Sequence, residues 1–451
     1  MTWSWTTPMD WMSSSQRPSV VERRRPFSVI YSRYNGWAIG LTSLGLWSLS
    51  FSVLGAIVLG GCGRQEVSVG QSERAAAIHE RAILVDGHND LPWRMRDEFD
   101  YNFDAFDIAA RNDDGHTDIP RLREGRVGAQ FWAAYVPVEF IEQGAVRIAL
   151  EQIDFIRGMT DRYSDLEMAY TVDDVRRVVA SGNIASLIGI EGGHAIENSL
   201  GVLRMFYGLG VRYMTLTHGS TIDWADAATD DPRHGGLSPF GEEVIREMNR
   251  LGMLVDISHV SPETMEDVLR ISEAPIIASH SNARSIADHA RNVPDEILRR
   301  LPDNGGVVMV NFYSGFVVPE ASEIVRDMFE VRRRLRAEHG DDEAAYQLEW
   351  KEWQAEHPVP RGSVGDLVDH IDRIVQVAGV DHVGLGSDFD GVSVVPEGLE
   401  DVSKFTAVTD ELLRRGYSDE DVIKILGGNL LRALGQAENV ARRLQAAPTR
   451  S

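Results

Sequence analysis

Eight short apolar runs punctuate the chain between residues 82 and 387, each followed by a polar loop and then, in most cases, an amphipathic stretch. They are AILVD (82–86), VGAQFWAAY (127–135), IASLIGI (184–190), VRYMTLT (211–217), GMLVDIS (252–258), APIIAS (274–279), GGVVMVN (305–311) and HVGLGS (382–387). Helical spacing of apolar positions fills 145–163, 200–209, 242–251, 262–271 and 364–377. Strands that are apolar on both faces and alternate with helices predict a parallel sheet covered on both sides. Eight such units over about 300 residues predict a (β/α)8 barrel of the TIM type, with an open doubly wound sheet as the competing arrangement.

The rhythm breaks at 319–362, a charged and helical segment closed by Pro358 and Pro360. It predicts a helical insertion between the seventh and eighth strands, either a solvated face or a lid or dimer contact. Past Thr406 the spacing predicts a C-terminal helical extension of two helices, broken at Gly427-Gly428.

Residues 36–61 carry no charge and follow Arg17, Arg23, Arg24, Arg25 and Arg33. A basic flank, an apolar run and small residues predict an export signal. Its end, Leu59-Gly60-Gly61-Cys62, resembles a bacterial lipoprotein signal in which Cys62 is lipidated; a plain membrane anchor is the alternative, since the run is long enough to span. Arg24-Arg25-Pro26-Phe27 also has some likeness to a twin-arginine signal. The expected division is an export signal over 1–62, a linker over 63–75, a barrel domain over 76–440 and a tail over 441–451. The expected location is the cell envelope, outside the cytoplasmic membrane and tethered to it.

Net charge is −24, and past residue 61 the balance is 40 basic against 67 acidic residues. Such a body repels nucleic acid, which excludes that class of partner. The single cysteine excludes an intrachain disulfide and a cysteine-based zinc site.

Candidate chemistry stands at the carboxyl ends of the apolar runs: His88 and Asp90, Glu191, His218, His259, His280 and Asp388. In a barrel these ends converge on one face, where substrate is handled. Singly, each has an ordinary role: a hydrogen-bonded strand-end histidine, a helix cap at Glu191, an Asx turn at Asp388 and Asp390. Glycine spacing in GLGSDFDG fits neither a calcium loop nor a dinucleotide fingerprint. As a set, imidazoles and carboxylates suit zinc, manganese or cobalt, and there are enough for two ions that generate a hydroxide at neutral pH. A carboxylated lysine bridge is excluded, because no lysine precedes Lys351. Glu191 is the natural replacement.

The motifs DGHNDLPW, IEGGH, TLTHGS, GLSPFGEEVIREMNRLGMLVDISHVS, SHSNAR, RNVPD, VNFYSGF, GSDFDG and PEGLEDVSKF occur in this order over roughly 76–440. At these residues the chain resembles the renal (membrane) dipeptidase family of zinc peptidases. The resemblance implies a barrel with a binuclear zinc site that hydrolyses dipeptides, including those with a D-configured second residue, by a metal-bridging hydroxide. It implies that His88 and Asp90 ligate one zinc, His259 and His280 the other, and that Glu191 bridges them. His218 would bind substrate and stabilise the oxyanion, Arg291 would hold the free carboxylate, Asp388 would shuttle the proton, and Tyr313 would line the pocket. Family members are commonly homodimers. Two rival functions remain open on the sequence: a related barrel hydrolase acting on lactams, lactones or cyclic amides, and a surface lipoprotein that binds small peptides without cutting them.

Overall fold

The computed structural model describes residues 73–340 and 342–446. The export signal, Cys62 and residues 447–451 of the expected tail lie outside these described residues. Nine strands form one parallel sheet: β1 (Leu84–Asn89), β2 (Val127–Tyr135), β3 (Leu166–Met168), β4 (Ile184–Glu191), β5 (Val211–Thr215), β6 (Leu254–Asp256), β7 (Ile277–Ala278), β8 (Val307–Val310) and β9 (Val383–Leu385). The order is β2-β1-β9-β8-β7-β6-β5-β4-β3, and β2 also pairs with β4. That last pairing, Ala129↔Ala185 through Tyr135↔Glu191, closes the sheet. The result is an eight-stranded barrel with helices in the crossovers, as the apolar rhythm predicts.

β3 is the supernumerary strand. It pairs with residues 184–186 of β4, while β5 takes the same edge from Ile188 onward. Its sequence, LEM, is too short to have stood out as an apolar run.

Alternate strand residues divide between two cores. Val85, Phe131, Leu187, Tyr213 and Met309 pack together in the barrel interior with Leu430 and Leu434 of the C-terminal helix (Asn429–Ala446). Leu84, Trp132, Ile188, Met214, Val308 and Val310 belong to the larger core under the surrounding helices. The helices begin where the sequence supplies caps. Ser238 and Ser261 accept from the backbone N–H three residues on, each with proline at the next position, and Ser363 and Asp366 form a capping box. The insertion between β8 and β9 is two helices, Pro319–His339 and Glu343–Glu356. The C-terminal extension differs from the two-helix expectation. Helices Phe405–Arg414 and Asp419–Ile423 come first, and a π-helical turn at Lys424–Gly428 then leads into the last helix. A helix over 73–81 begins inside the expected linker, and the last helix runs past 440.

Candidate metal centre

The carboxyl ends of β1, β4, β5, β6, β7 and β9 deliver one side chain or more to a single buried cluster. His88 is the penultimate residue of β1, and the turn after the strand brings Asp90 beside it, with Nε2 and Oδ2 3.2 Å apart. Glu191, the last residue of β4, sits between two groups. Its Oε2 lies 3.6 Å from His88 Nε2, and its Oε1 lies 3.0 Å from His259 Nε2 and 3.4 Å from His280 Nε2. The two imidazole nitrogens of His259 and His280 approach to 3.0 Å. A tetrahedral ion with bonds of ~2.0–2.1 Å separates its ligands by about 3.3 Å. The observed spacings are therefore those of ligands converging on common points. His88 Nε2 and Asp90 Oδ1 are moreover buried without a hydrogen-bond partner. Buried polar atoms ordinarily have partners, so these two, facing their fellow ligands, fit a divalent cation.

The nitrogens that face away from the cluster are held. Ser279 Oγ donates to Asp256 Oδ2 (2.5 Å), which leaves its lone pair for His280 Nδ1–H (2.7 Å). Tyr213 OH donates to the carbonyl of Gly87 (3.2 Å) and accepts from His88 Nδ1–H (2.8 Å). Both rings are thereby oriented with Nε2 aimed inward, the nitrogen that would face a metal. Tyr213 reaches His88 only because β4 carries glycine at 189: a Cβ there would stand 2.0 Å from the tyrosine ring.

Electrostatics follow from this crowding. Burial opposes charge on Glu191, but the imidazoles of His88, His259 and His280 outweigh it and hold the carboxyl well below its usual range. Burial, joined by the carboxylates of Asp90 and Glu191, pushes Asp388 well above its range against the pull of His88. Burial and the Arg291 guanidinium depress His259, and burial with His88 and Arg291 depresses His280. His259 (φ 68°) and Asp388 (φ 66°) both adopt left-handed backbone. Strain of that kind persists where the surroundings over-determine it.

His218 joins the cluster through His259, with ring centroids 4.4 Å apart, and its other face meets Tyr135 at 4.7 Å. Asp388 Oδ2 accepts from Asn311 Nδ2 at 2.7 Å, and His88, Asp90 and Asp388 all lie within ligand reach of one another. Arg291 is 3 % exposed, donates to Ser281 Oγ and to the His280 carbonyl, and among the described residues has no carboxylate within ion-pair distance. Its Nε is unpartnered. Burial lowers its pKa to about 10, so it stays cationic at neutral pH. A buried, unpaired guanidinium beside a metal cluster suits an anionic group that arrives with a ligand.

The family model described as "Membrane dipeptidase (Peptidase family M19)" matches residues 72–448. The chain belongs to the membrane dipeptidase family. It is 41% identical to the mouse protein named "Dipeptidase 3" over 374 residues, 82% of this chain and 67% of that one. It is likewise 41% identical to "Dipeptidase verJ" of Clonostachys rogersoniana over 375 residues, covering 80% of this chain and 86% of the relative. Among solved structures, the "probable dipeptidase PvdM from Pseudomonas aeruginosa" superposes with a TM-score of 0.72 at 27% identity, covering 83% of this chain and all of the other. A membrane dipeptidase is a metallopeptidase that hydrolyses the peptide bond of dipeptides, and the clustered histidines and carboxylates are where this member can bind metal.

Tyr313 lies past the end of β8, and its N–H donates to Asn311 Oδ1 at 2.6 Å. It packs edge-on against Phe316, the ring that lies under the Arg291 guanidinium. Sequence reasoning missed the residues behind the ligands. Asp256 accepts from Thr215, Ser279 and the Ser258 and Ser279 N–H groups, and Asp86 accepts from Ser387 and Gln130. The available signal was an aspartate inside an otherwise apolar strand run. It also missed Tyr135, whose visible signal was a tyrosine closing the second run.

Proposed function

We propose that the chain is an exported zinc dipeptidase that binds two ions per chain and accepts dipeptides whose second residue is of either L or D configuration. The observation that carries this reading is the division of Glu191, one oxygen toward His88 and the other toward His259 and His280. His88 and Asp90 would hold one ion, His259 and His280 the other, and Glu191 both. When bound, two zinc ions supply an activated water and polarise the scissile carbonyl. The chain's own residues do the rest. Arg291 receives the free carboxylate of the substrate in a bidentate grip and so sets the direction in which the dipeptide lies. His218, kept neutral by burial, donates a hydrogen bond to the carbonyl oxygen as negative charge develops there. Asp388, whose carboxyl burial pushes above its ordinary range, gives a proton to the leaving amine. Tyr313 and Phe316 wall the carboxylate end.

Metal analysis paired with a substrate panel tests the reading. About two zinc per chain and cleavage of simple L,L and L,D dipeptides are expected. Full activity after exhaustive chelation, or turnover of cyclic amides but not dipeptides, would overturn it. His259→Ala should cost one ion and most turnover.

The same proposal places the protein in the cell envelope, tethered through lipidated Cys62, and pairs it as a homodimer. Cys62→Ser should release it from membranes; a variant that stays bound would favour an uncleaved apolar segment instead. Among the described residues no helix is long and apolar enough to cross a membrane. Light scattering of the detergent-free catalytic portion would report the oligomeric state.

A further inference from the structure

Among the loops that follow β2, β4 and β5 lies a cavity of about 440 Å³, within the size range of small-molecule sites. His194 lines it and also lies within electrostatic reach of His218 and Glu191. The imidazole is 7 % exposed, and neither ring nitrogen completes a hydrogen bond, although the carbonyls of Pro137 and Val136 are close by. A buried polar ring left unsatisfied at the wall of a cavity is unusual in a native protein and marks a place for a ligand group.

The remaining walls give the chemistry. They include three carboxylates, Glu142, Glu197 and Asp223, and a single cation, Arg233. Arg233 is committed to Asp223 at 3.1 Å, and Asn198 donates to the other Asp223 oxygen at 2.8 Å. Glu197 accepts the N–H of Val146 (3.2 Å), and among the described residues neither Glu197 nor Glu142 has a cation within ion-pair distance. His194 adds no positive charge, because burial lowers its pKa to about 4. The cavity therefore sets three carboxylates against one guanidinium, with a neutral imidazole in its wall.

Its position gives the direction. The lining segments follow β2 (Ile141–Gly144), β4 (His194–Asn198) and β5 (Thr221–Arg233). Arg291 follows β7, which stands four strands from β2 in either direction around the closed barrel. A dipeptide with its carboxylate on Arg291 and its peptide bond at the metal cluster thus points its first residue toward the His194 side.

We propose that this cavity receives the side chain of the substrate's amino-terminal residue and selects positively charged ones, lysine or arginine. The inference rests on the dipeptide orientation given under Proposed function. It assigns Glu142 and Glu197 to recognition of the side-chain cation and His194 to accepting a hydrogen bond from it.

Initial rates on Lys-Ala, Ala-Ala and Glu-Ala with the zinc-loaded protein test it. Wild type should show kcat/KM for Lys-Ala at least about fivefold above Ala-Ala, the factor that one exposed ion pair supplies, with Glu-Ala lowest. The preference should shrink between 0.05 and 0.5 M salt, as screening requires. Glu142→Gln and Glu197→Gln, both at exposed positions, should each lower the Lys-Ala to Ala-Ala ratio. His194→Phe, which fills the cavity, should raise KM for Lys-Ala more than for Gly-Ala. Cleavage of all three dipeptides at equal rates, or variants with an unchanged ratio, overturns the cavity assignment while the dipeptidase reading stands. No cleavage of any dipeptide by zinc-loaded protein removes both.

Discussion

Ser279 shows how much of the centre is decided by atoms that never touch a metal. Its hydroxyl links the His280 ring to the Asp256 carboxylate, so it sets which nitrogen of His280 is free. Ser279→Ala should weaken metal affinity by about 10- to 100-fold, as outer-shell losses do, measured by competition against a chromophoric chelator. A variant with wild-type affinity would show that the chain from Asp256 is idle. Arg291 makes a different prediction. Arg291→Met should raise KM for dipeptides about a hundredfold, a loss of ~2–3 kcal/mol, and leave dipeptide amides nearly unaffected. Equal shifts for acid and amide would place the guanidinium elsewhere in the reaction. At this scale the sequence was legible where a ligand-type side chain ended an apolar run, as at His88, Glu191 and His280. It was opaque at Asp86 and Asp256, because an acid in or closing an apolar run reads as the start of a loop. Only the three-dimensional closure reveals that neighbouring strands surround each of them with donors.

At the scale of elements, β4 is the organising strand. It pairs with β2, β3 and β5, ends in Glu191, and opens at Gly189 to admit Tyr213. Gly189→Ala should displace the tyrosine ring and with it the brace on His88. The expected result is a folded barrel with reduced metal occupancy, read by circular dichroism alongside elemental analysis. Full occupancy would mean that the ring relaxes without moving His88. The eight barrel strands were legible from apolar runs, but their lengths were not. APIIAS yields a two-residue strand and GMLVDIS a three-residue one, since the residues beyond leave the ladder to form the rim of the site. β3 was hidden for the opposite reason: three residues give periodicity nothing to act on. The insertion helices were visible by charge alone, yet Val325 of the first packs against Tyr313 and Phe316, so part of that segment supports the substrate end instead of merely facing water.

The whole molecule carries a collective sensitivity to acid. Burial, the leading cause in each case, lowers the pKa of His79, His194 and His370 to about 4 and that of His289 to about 3. Each is neutral in the fold and takes up a proton in the unfolded chain below its ordinary value of 6.5. Their contribution is therefore complete above about pH 6.5 and is lost as pH falls toward 4, by up to ~1.4 kcal/mol per pH unit per imidazole. Urea midpoints of the chelated protein should fall steeply between pH 6.5 and 5, and His370→Gln should make the fall shallower; a flat profile would contradict the sign. The barrel's seam has a consequence of its own. β1 and β9 are neighbours although some three hundred residues separate them, and the backbone of Asp388 bonds to the carbonyl of His88. A growing polypeptide that has not yet released its last strand from the ribosome lacks Asp388 and cannot close the sheet around the ligands. Assembly of the complete site, proton donor included, is thereby deferred until the final strand has been made.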